Sequence, residues 1–241
     1  MTTPVRLLAG RVAADPGSPL LTFYDDATGE RVELSAVTFD NWVAKTANLL
    51  IDSLGAGPGD RALVVLPLHW QSLVIVAGCW AAGLEVGTGT PDPGSAPFAG
   101  AEPFVEFRAE GDGAADDPPR ADLVLLSLRP LGLPLHKPVP GAFDFADVRT
   151  FGDRFSGPAP AASDPALDGR SHADVVAAAV QATSGSVRAL YAPEGDGPLT
   201  ADLVVRAYVA ALAGGGSAVI CRNADPSTLP RRLEAERAVT A

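Results

Sequence analysis

The chain has 241 residues, a 47% apolar fraction and a formal net charge of −11 from 29 acidic and 18 basic residues. That length and apolar content suffice for one large α/β domain or two small ones around a buried core. The acidic balance argues against a nucleic-acid or anionic-membrane binder, which needs excess Lys and Arg to neutralise phosphates.

Residues 4–14, "PVRLLAGRVAA", have helical spacing. "LLTFYDDATGERVEL" predicts a hairpin turning over Asp26 to Gly29. Ser35 then caps a helix to about Leu54, with Val37, Trp42, Ala44, Leu49 and Leu50 on its buried face. "RALVVLP" is an unbroken apolar strand of the kind buried on both faces of a parallel sheet. A helix follows from Trp70 to Ala82, ended by Gly83, and then a short strand at 85–87. Residues 89–100 predict a loop.

"PFVEF" predicts a strand, "RAEGDGAADDPPR" a solvated acidic excursion, and "ADLVLLSL" a second buried strand. Residues 144–151 fit a short helix or a strand, and 156–170 read as an internal linker in what is otherwise a single domain over 1–241. Ser171 and Asp174 form a capping box before a helix ending near Gly185, with Val175, Val176, Ala179 and Val180 as its apolar stripe. "VRALYA" is a strand, "LTADLVVRAYVAALAGG" a helix capped by Thr200, "SAVICR" a strand, and "DPSTLPRRLEAER" a helix breaking at Pro230. Alternation of helix and strand makes the class α/β with a largely parallel sheet flanked by helices.

Cys79 and Cys221 sit in apolar runs, which points to buried reduced thiols and a cytoplasmic protein. The N-terminus has no uninterrupted apolar segment, and the longest apolar stretch, from Ser72 to Leu84, is too short to span a bilayer. His136 and His172 have no partners at metal-ligand spacing, so no metal site is expected. No Ser, His and acid set can be assigned, because "GxSxG" does not occur. Trp42, Trp70 and Trp80 read as core or groove residues.

The segment "LSAVTFDNWVAKTANLLIDSLGAGPGDRALVVLPLHWQSLVIVAGCWAAGLEV" resembles the N-terminal part of the AMP-binding superfamily of acyl-adenylate-forming enzymes, the acyl-CoA synthetases and adenylation domains. Gly57, Pro58, Gly59, Asp60, Arg61, Leu66, Pro67, Ala82 and Gly83 fall on its pattern, as do Ala213, Gly214, Asp225, Pro226, Glu236 and Arg237 near the C-terminus. "LSLRPLG" and "FGDRF" resemble more closely an uncharacterised actinobacterial family of truncated relatives. The resemblance implies the fold of the N-terminal subdomain of those enzymes. None of the matching residues is catalytic in the family, and fold alone does not carry function.

The superfamily holds ATP phosphates with a loop of the type "TSGTTGxPKG" leaving a strand. The nearest match in composition, "ATSGSV" at 182–187, follows a predicted helix instead, with Gly185 as its left-handed C′ residue. A helix C-terminus presents carbonyls and the negative end of the dipole, which repels phosphate. The segment in the loop's position is "APEGDGPL", where Glu194 and Asp196 replace hydroxyls and no lysine follows. Such a loop, with Gly195 and Gly197 before a helix, has the order of an anion site without its donors.

Ligands of open parallel sheets bind beyond the carboxyl ends of the strands. His69, Arg129, Glu194, Gly195, Gly197 and Arg222 follow such ends and are the candidate ligand-binding residues; separate surface or capping roles are the alternative. No catalytic residue and no cofactor are assigned. The leading expectation is a non-catalytic domain that binds a small molecule or a protein. The rival is a ligase fragment that binds ATP or AMP and is completed by another chain. Homo-oligomerisation is a third possibility.

Overall fold

A computed structural model describes residues 2–89, 98, 101–112, 121–183 and 185–241. The loop reading over 89–100 and the acidic excursion therefore fall largely outside the described residues. Two sheets carry the architecture. The first has five strands in the order β12-β10-β11-β1-β2, namely Val239–Thr240, Arg188–Tyr191, Ser217–Arg222, Pro19–Asp25 and Glu30–Ser35. The second has seven in the order β7-β6-β5-β3-β4-β8-β9, namely Ala142–Asp144, Asp122–Leu126, Val105–Ala109, Arg61–Val65, Glu85–Thr88, Pro165–Leu167 and Arg170–Ser171. Only the edge strands β2 and β9 pair antiparallel, so the α/β class with largely parallel pairing holds, in two sheets rather than one.

Helices α1 (Pro4–Ala14), α2 (Ala36–Asn48), α3 (Trp70–Ala81) and α4 (His172–Ala182) form where predicted, with the predicted end of α2 near Leu54 reached through a π turn over Leu49–Ser53. Ser35 accepts from the Thr38 N–H, and Ser171 with Asp174 completes a capping box. Residues 201–214 run as one helix, α5 (Ala201–Val204) and α6 (Ala210–Gly214) joined through a π turn at Val205–Val209, with Thr200 accepting from the Leu203 N–H. Helix α7 (Leu229–Glu236) carries Pro230 in its first turn instead of breaking there, since a first-turn proline gives up an N–H that has no intrahelical partner. Residues 145–150 form a 3₁₀ helix. Pro165–Leu167, inside the stretch read as a linker, pairs in parallel with β4.

The period-2 alternation of strands distributes side chains between compartments. On β11, Ala218 and Ile220 face the main core, while Val219 and Cys221 face a second cluster covered by Leu229 and Leu233 of α7. Both cysteines are buried free thiols. Two predicted core positions lie elsewhere. Val37 is 37% exposed because α2 turns the line of Ala36, Phe39, Val43 and Ala47 inward. Val180 is 57% exposed because α4 buries the line of His172, Val175 and Ala179.

Helix α3 is the central element, buried at eleven of its twelve residues from Trp70 to Trp80. It lies so close to α2 that a Cβ on Gly78 would come within 2.6 Å of the Thr46 side chain and 3.4 Å of the Val43 carbonyl. Trp80 Nε1 donates to the Ala166 carbonyl at 2.7 Å, which ties α3 to β8.

Gly10 of α1 is also inside a helix, but nothing lies within 4 Å of a Cβ built there. Alanine gains about 0.5–1 kcal/mol over glycine in a helix interior, whereas overpacking costs about 1–3 kcal/mol. Urea unfolding should therefore show Gly10→Ala raising the midpoint and Gly78→Ala lowering it. Equal shifts would mean that α2 and α3 are not in close contact.

Candidate functional site

The carboxyl ends of the two sheets meet where β3 runs into α3. The Leu199 N–H donates to the Leu66 carbonyl at 2.6 Å, and Pro67 bridges Pro198. The loop between β10 and α5, residues 192–199, is thereby stitched to the end of β3. Gly195 takes a positive φ of 74° at its turn.

His69 is the N-cap of α3 and is wholly buried, edge-on to Phe23 with ring centroids 4.3 Å apart. Its Nδ1 accepts from the Gln71 N–H at 3.2 Å, so in the neutral ring the proton is on Nε2. Nε2 faces Glu30 Oε2 at 3.9 Å, and neither atom has a hydrogen bond. Burial pushes the imidazole pKa down; Glu30 opposes this and Arg222 adds to it. Glu30 opens β2 and is 6% exposed. Its Oε1 accepts from Trp70 Nε1 at 3.3 Å and from the Leu131 N–H at 3.1 Å. Burial alone would raise this carboxyl; His69, the Leu131 N–H and Trp70 outweigh it and hold Glu30 below its ordinary value, as the carboxylate.

Arg222, the last residue of β11, forks onto Asp196, with Nε to Oδ1 at 2.6 Å and Nη2 to Oδ2 at 2.5 Å. Its Nη1 lies 3.7 Å from Oδ2 of Asp25, a residue only 2% exposed. Asp25 Oδ1 accepts from Asn223 Nδ2 at 3.0 Å and from the Ala27 N–H at 2.9 Å. The hydrogen bond from Arg222 holds Asp196 below the usual carboxylate range against some burial. In turn Asp196 holds Arg222 above its ordinary value.

The structure thus brings together His69, Arg222 and the loop carrying Gly195 and Gly197. Glu194 is on the same loop, but its side chain is exposed and makes no hydrogen bond or ion pair among the described residues. Arg129 stays apart. Its Nη2 donates to the Pro134 carbonyl at 2.5 Å, and its charge acts on Glu110, which pairs with His136 at 2.7 Å. Only the backbone of its neighbour Leu131 reaches the site. Asp25, Glu30 and Gln71 were not legible as site residues, because Asp25 and Glu30 flank a hairpin turn, where acidic residues are ordinary. Among the described residues no group of three His, Cys, Asp or Glu is placed to hold a metal.

"ATSGSV" lies elsewhere. Helix α4 ends at Ala182, and the cap Thr183 is extended, with its N–H donating to the Ala179 carbonyl. Gly185 has a φ of 89° but lies one residue beyond C′, which is Ser184, outside the described residues. The turn packs on the glycines that end α6: a Cβ on Gly214 would lie 2.6 Å from the Gly185 carbonyl oxygen, and Ser186 Oγ donates to the carbonyl of the cap Gly215 at 3.1 Å.

No protein-family model matches the chain. A Mycobacterium tuberculosis (strain ATCC 25618 / H37Rv) protein described as a TIGR03089 family protein is 37% identical over 250 residues, covering 98% of both chains. The chain belongs to the TIGR03089 family. Among solved structures, this family member is similar to an acyl-CoA synthetase from Brucella canis, with a TM-score of 0.76 and 15% identity over 99% of the chain. It is also similar to the N-terminal domain of FACL13 from Mycobacterium tuberculosis, with a TM-score of 0.70 and 14% identity over 99% of the chain. It spans 46% of the first structure and 62% of the second. At such identities the likeness shows the fold, which is that of acyl-CoA synthetase N-terminal domains, as the sequence resemblance implied. No helix of the described residues is long and apolar enough to cross a membrane.

The site gives this TIGR03089 family chain a two-stage response to acid. His69 has a folded pKa below its unfolded value of about 6.5, so below that pH the unfolded state takes up a proton the folded state refuses, and stability begins to fall. Asp196 and Glu30 have depressed folded pKa values; their stabilisation is complete above about 4 and is lost as pH falls through the folded values. His172, also buried and depressed, adds to the first stage. Urea midpoints at pH 8, 6, 5 and 3.5 should decline from pH 6 downward and then more steeply below 4; a level profile from pH 8 to pH 5 would contradict the buried neutral histidines.

Proposed function

We propose that the chain is a binding domain that has the acyl-CoA synthetase-like fold without forming acyl adenylates. The observation that carries this reading is the Arg222–Asp196 fork. In the strand–loop–helix position where the resemblance implies a phosphate loop, the loop is held shut by its own carboxylate on the nearest arginine. Arg222 is already shared between Asp196 and Asp25, and Glu194 adds a further negative charge. A triphosphate entering there would meet three carboxylates and no lysine, an arrangement that opposes binding unless a cation intervenes. The alternative, a nucleotide-binding part of a ligase completed by a second chain, requires that fork to open.

The domain acts on this reading through a small molecule or a protein partner. One main core cluster drawn from both sheets supports a single α/β unit, and the two buried free thiols support residence in a reducing cytoplasm.

The purified chain should give no ATP–pyrophosphate exchange above blank with short-, medium- or long-chain carboxylates, and no thermal shift with millimolar ATP or AMP. Exchange with any of these carboxylates would overturn the reading.

A further inference from the structure

Away from the strand ends, a cavity of about 300 Å³ opens between α1, α2, α3 and the π turn. That volume sits at the lower end of small-molecule pockets, which run from roughly 300 to 1,000 Å³. Leu8, Val43 and Ala77 supply apolar walls, and Trp80 and Tyr208 lie against each other, with nearly parallel rings 6.3 Å apart. Residues 153–156 strap across the cavity and are tied to α2. Lys45 Nζ pairs with Asp153 at 2.7 Å and donates to the Phe151 carbonyl at 2.5 Å, while Asn48 Nδ2 donates to the Gly152 and Arg154 carbonyls at 3.0 Å.

A polar wall of the cavity is Asp40. Its half-buried carboxyl lines the cavity and makes no hydrogen bond or ion pair among the described residues. Burial pushes its pKa up, and no basic group among the described residues offsets this. The nearby charge of Asp40, after burial itself, also pushes the Tyr208 phenol up, so that group stays protonated. A carboxyl in an apolar cavity is costly as an anion and regains its charge only against a cation. The other charged groups at the cavity are Asp153, neutralised by Lys45, and Arg154, which is exposed.

We propose that this cavity is a binding site for a small organic amine, with the ammonium on Asp40 and an alkyl or aryl body between Leu8, Val43 and the rings. The inference rests on the reading of the chain as a binding domain and supplies a ligand class for it. At about 30 Å³ per water-sized group the space takes about ten such groups.

The test is titration of the full chain with hexylamine and phenethylamine, followed by NMR of the Trp80 and Tyr208 ring signals, with hexanoate and 1-hexanol as controls. Saturable shifts with the amines are expected, at least tenfold weaker with 1-hexanol and in Asp40→Asn. Ala81→Leu, which fills the cavity while keeping Asp40, should abolish them. Tighter binding of hexanoate would assign the cavity to Arg154 and overturn the proposal, as would amine binding indifferent to both variants or no saturable shift at millimolar amine. Pyrophosphate exchange would overturn the binding-domain reading while leaving amine binding standing, so the two failures are distinguishable.

Discussion

Helix α3 is the constraint on which the rest of the molecule depends. A helix apolar around its whole circumference has no solvent face and must be enclosed. The two sheets, with α1, α2 and the helix over residues 201–214, supply the enclosure. Because α3 cannot shift without opening the core, its two ends become fixed points. His69 and Trp70 at the N-terminal end anchor Glu30 and the junction of the sheets. Trp80 at the other end holds β8 and forms a wall of the cavity that contains Asp40.

Those two ends differ in their electrostatics in a way that separates their chemistry. At the strand ends the charges that reach inward are largely answered: Arg222 by Asp196 and Asp25, and Oε1 of Glu30 by two N–H donors, while its Oε2 faces His69 Nε2 without a hydrogen bond. Satisfied networks in low dielectric are rigid, because opening one bond leaves a buried charge exposed to its full desolvation cost. The cavity has the opposite character: among the described residues its Asp40 carboxyl makes no hydrogen bond or ion pair. A rigid, self-paired rim and an unpaired group in an apolar pocket favour ligand capture at the second place over the first.

The likeness to acyl-CoA synthetases concerns backbone architecture, while the loop in the phosphate position carries acids. The same strand–loop–helix order can cradle an anion or be clamped by a neighbouring arginine, and the residue types on the loop decide which. Here Asp196 meets Arg222 across 26 positions of sequence. The loop composition showed the missing donors; only the fold showed that one acid had become the latch.

What the sequence determined by itself was local. Caps at Ser35, Ser171 and Thr200, the apolar runs of β3, β6 and β11, and the helical periods of α1 to α4 depend on neighbours within a few residues, so each was legible in order. The register of "ATSGSV" at the end of a capped helix was legible for the same reason. Pairings over long separations were decided by tertiary structure alone. Strand β1 lies beside β11, about 200 residues away in the chain, the strands divide between two sheets, and Val37 and Val180 turn outward because the core approaches their helices from another side. The site followed the same rule: His69 and Arg222 could be named from strand ends, but Asp25 and Glu30 became partners of those residues only when the hairpin folded onto α3 and β11. Periodicity specifies which face of an element is apolar; what that face meets is settled by packing, where burial and charge compensation are satisfied together.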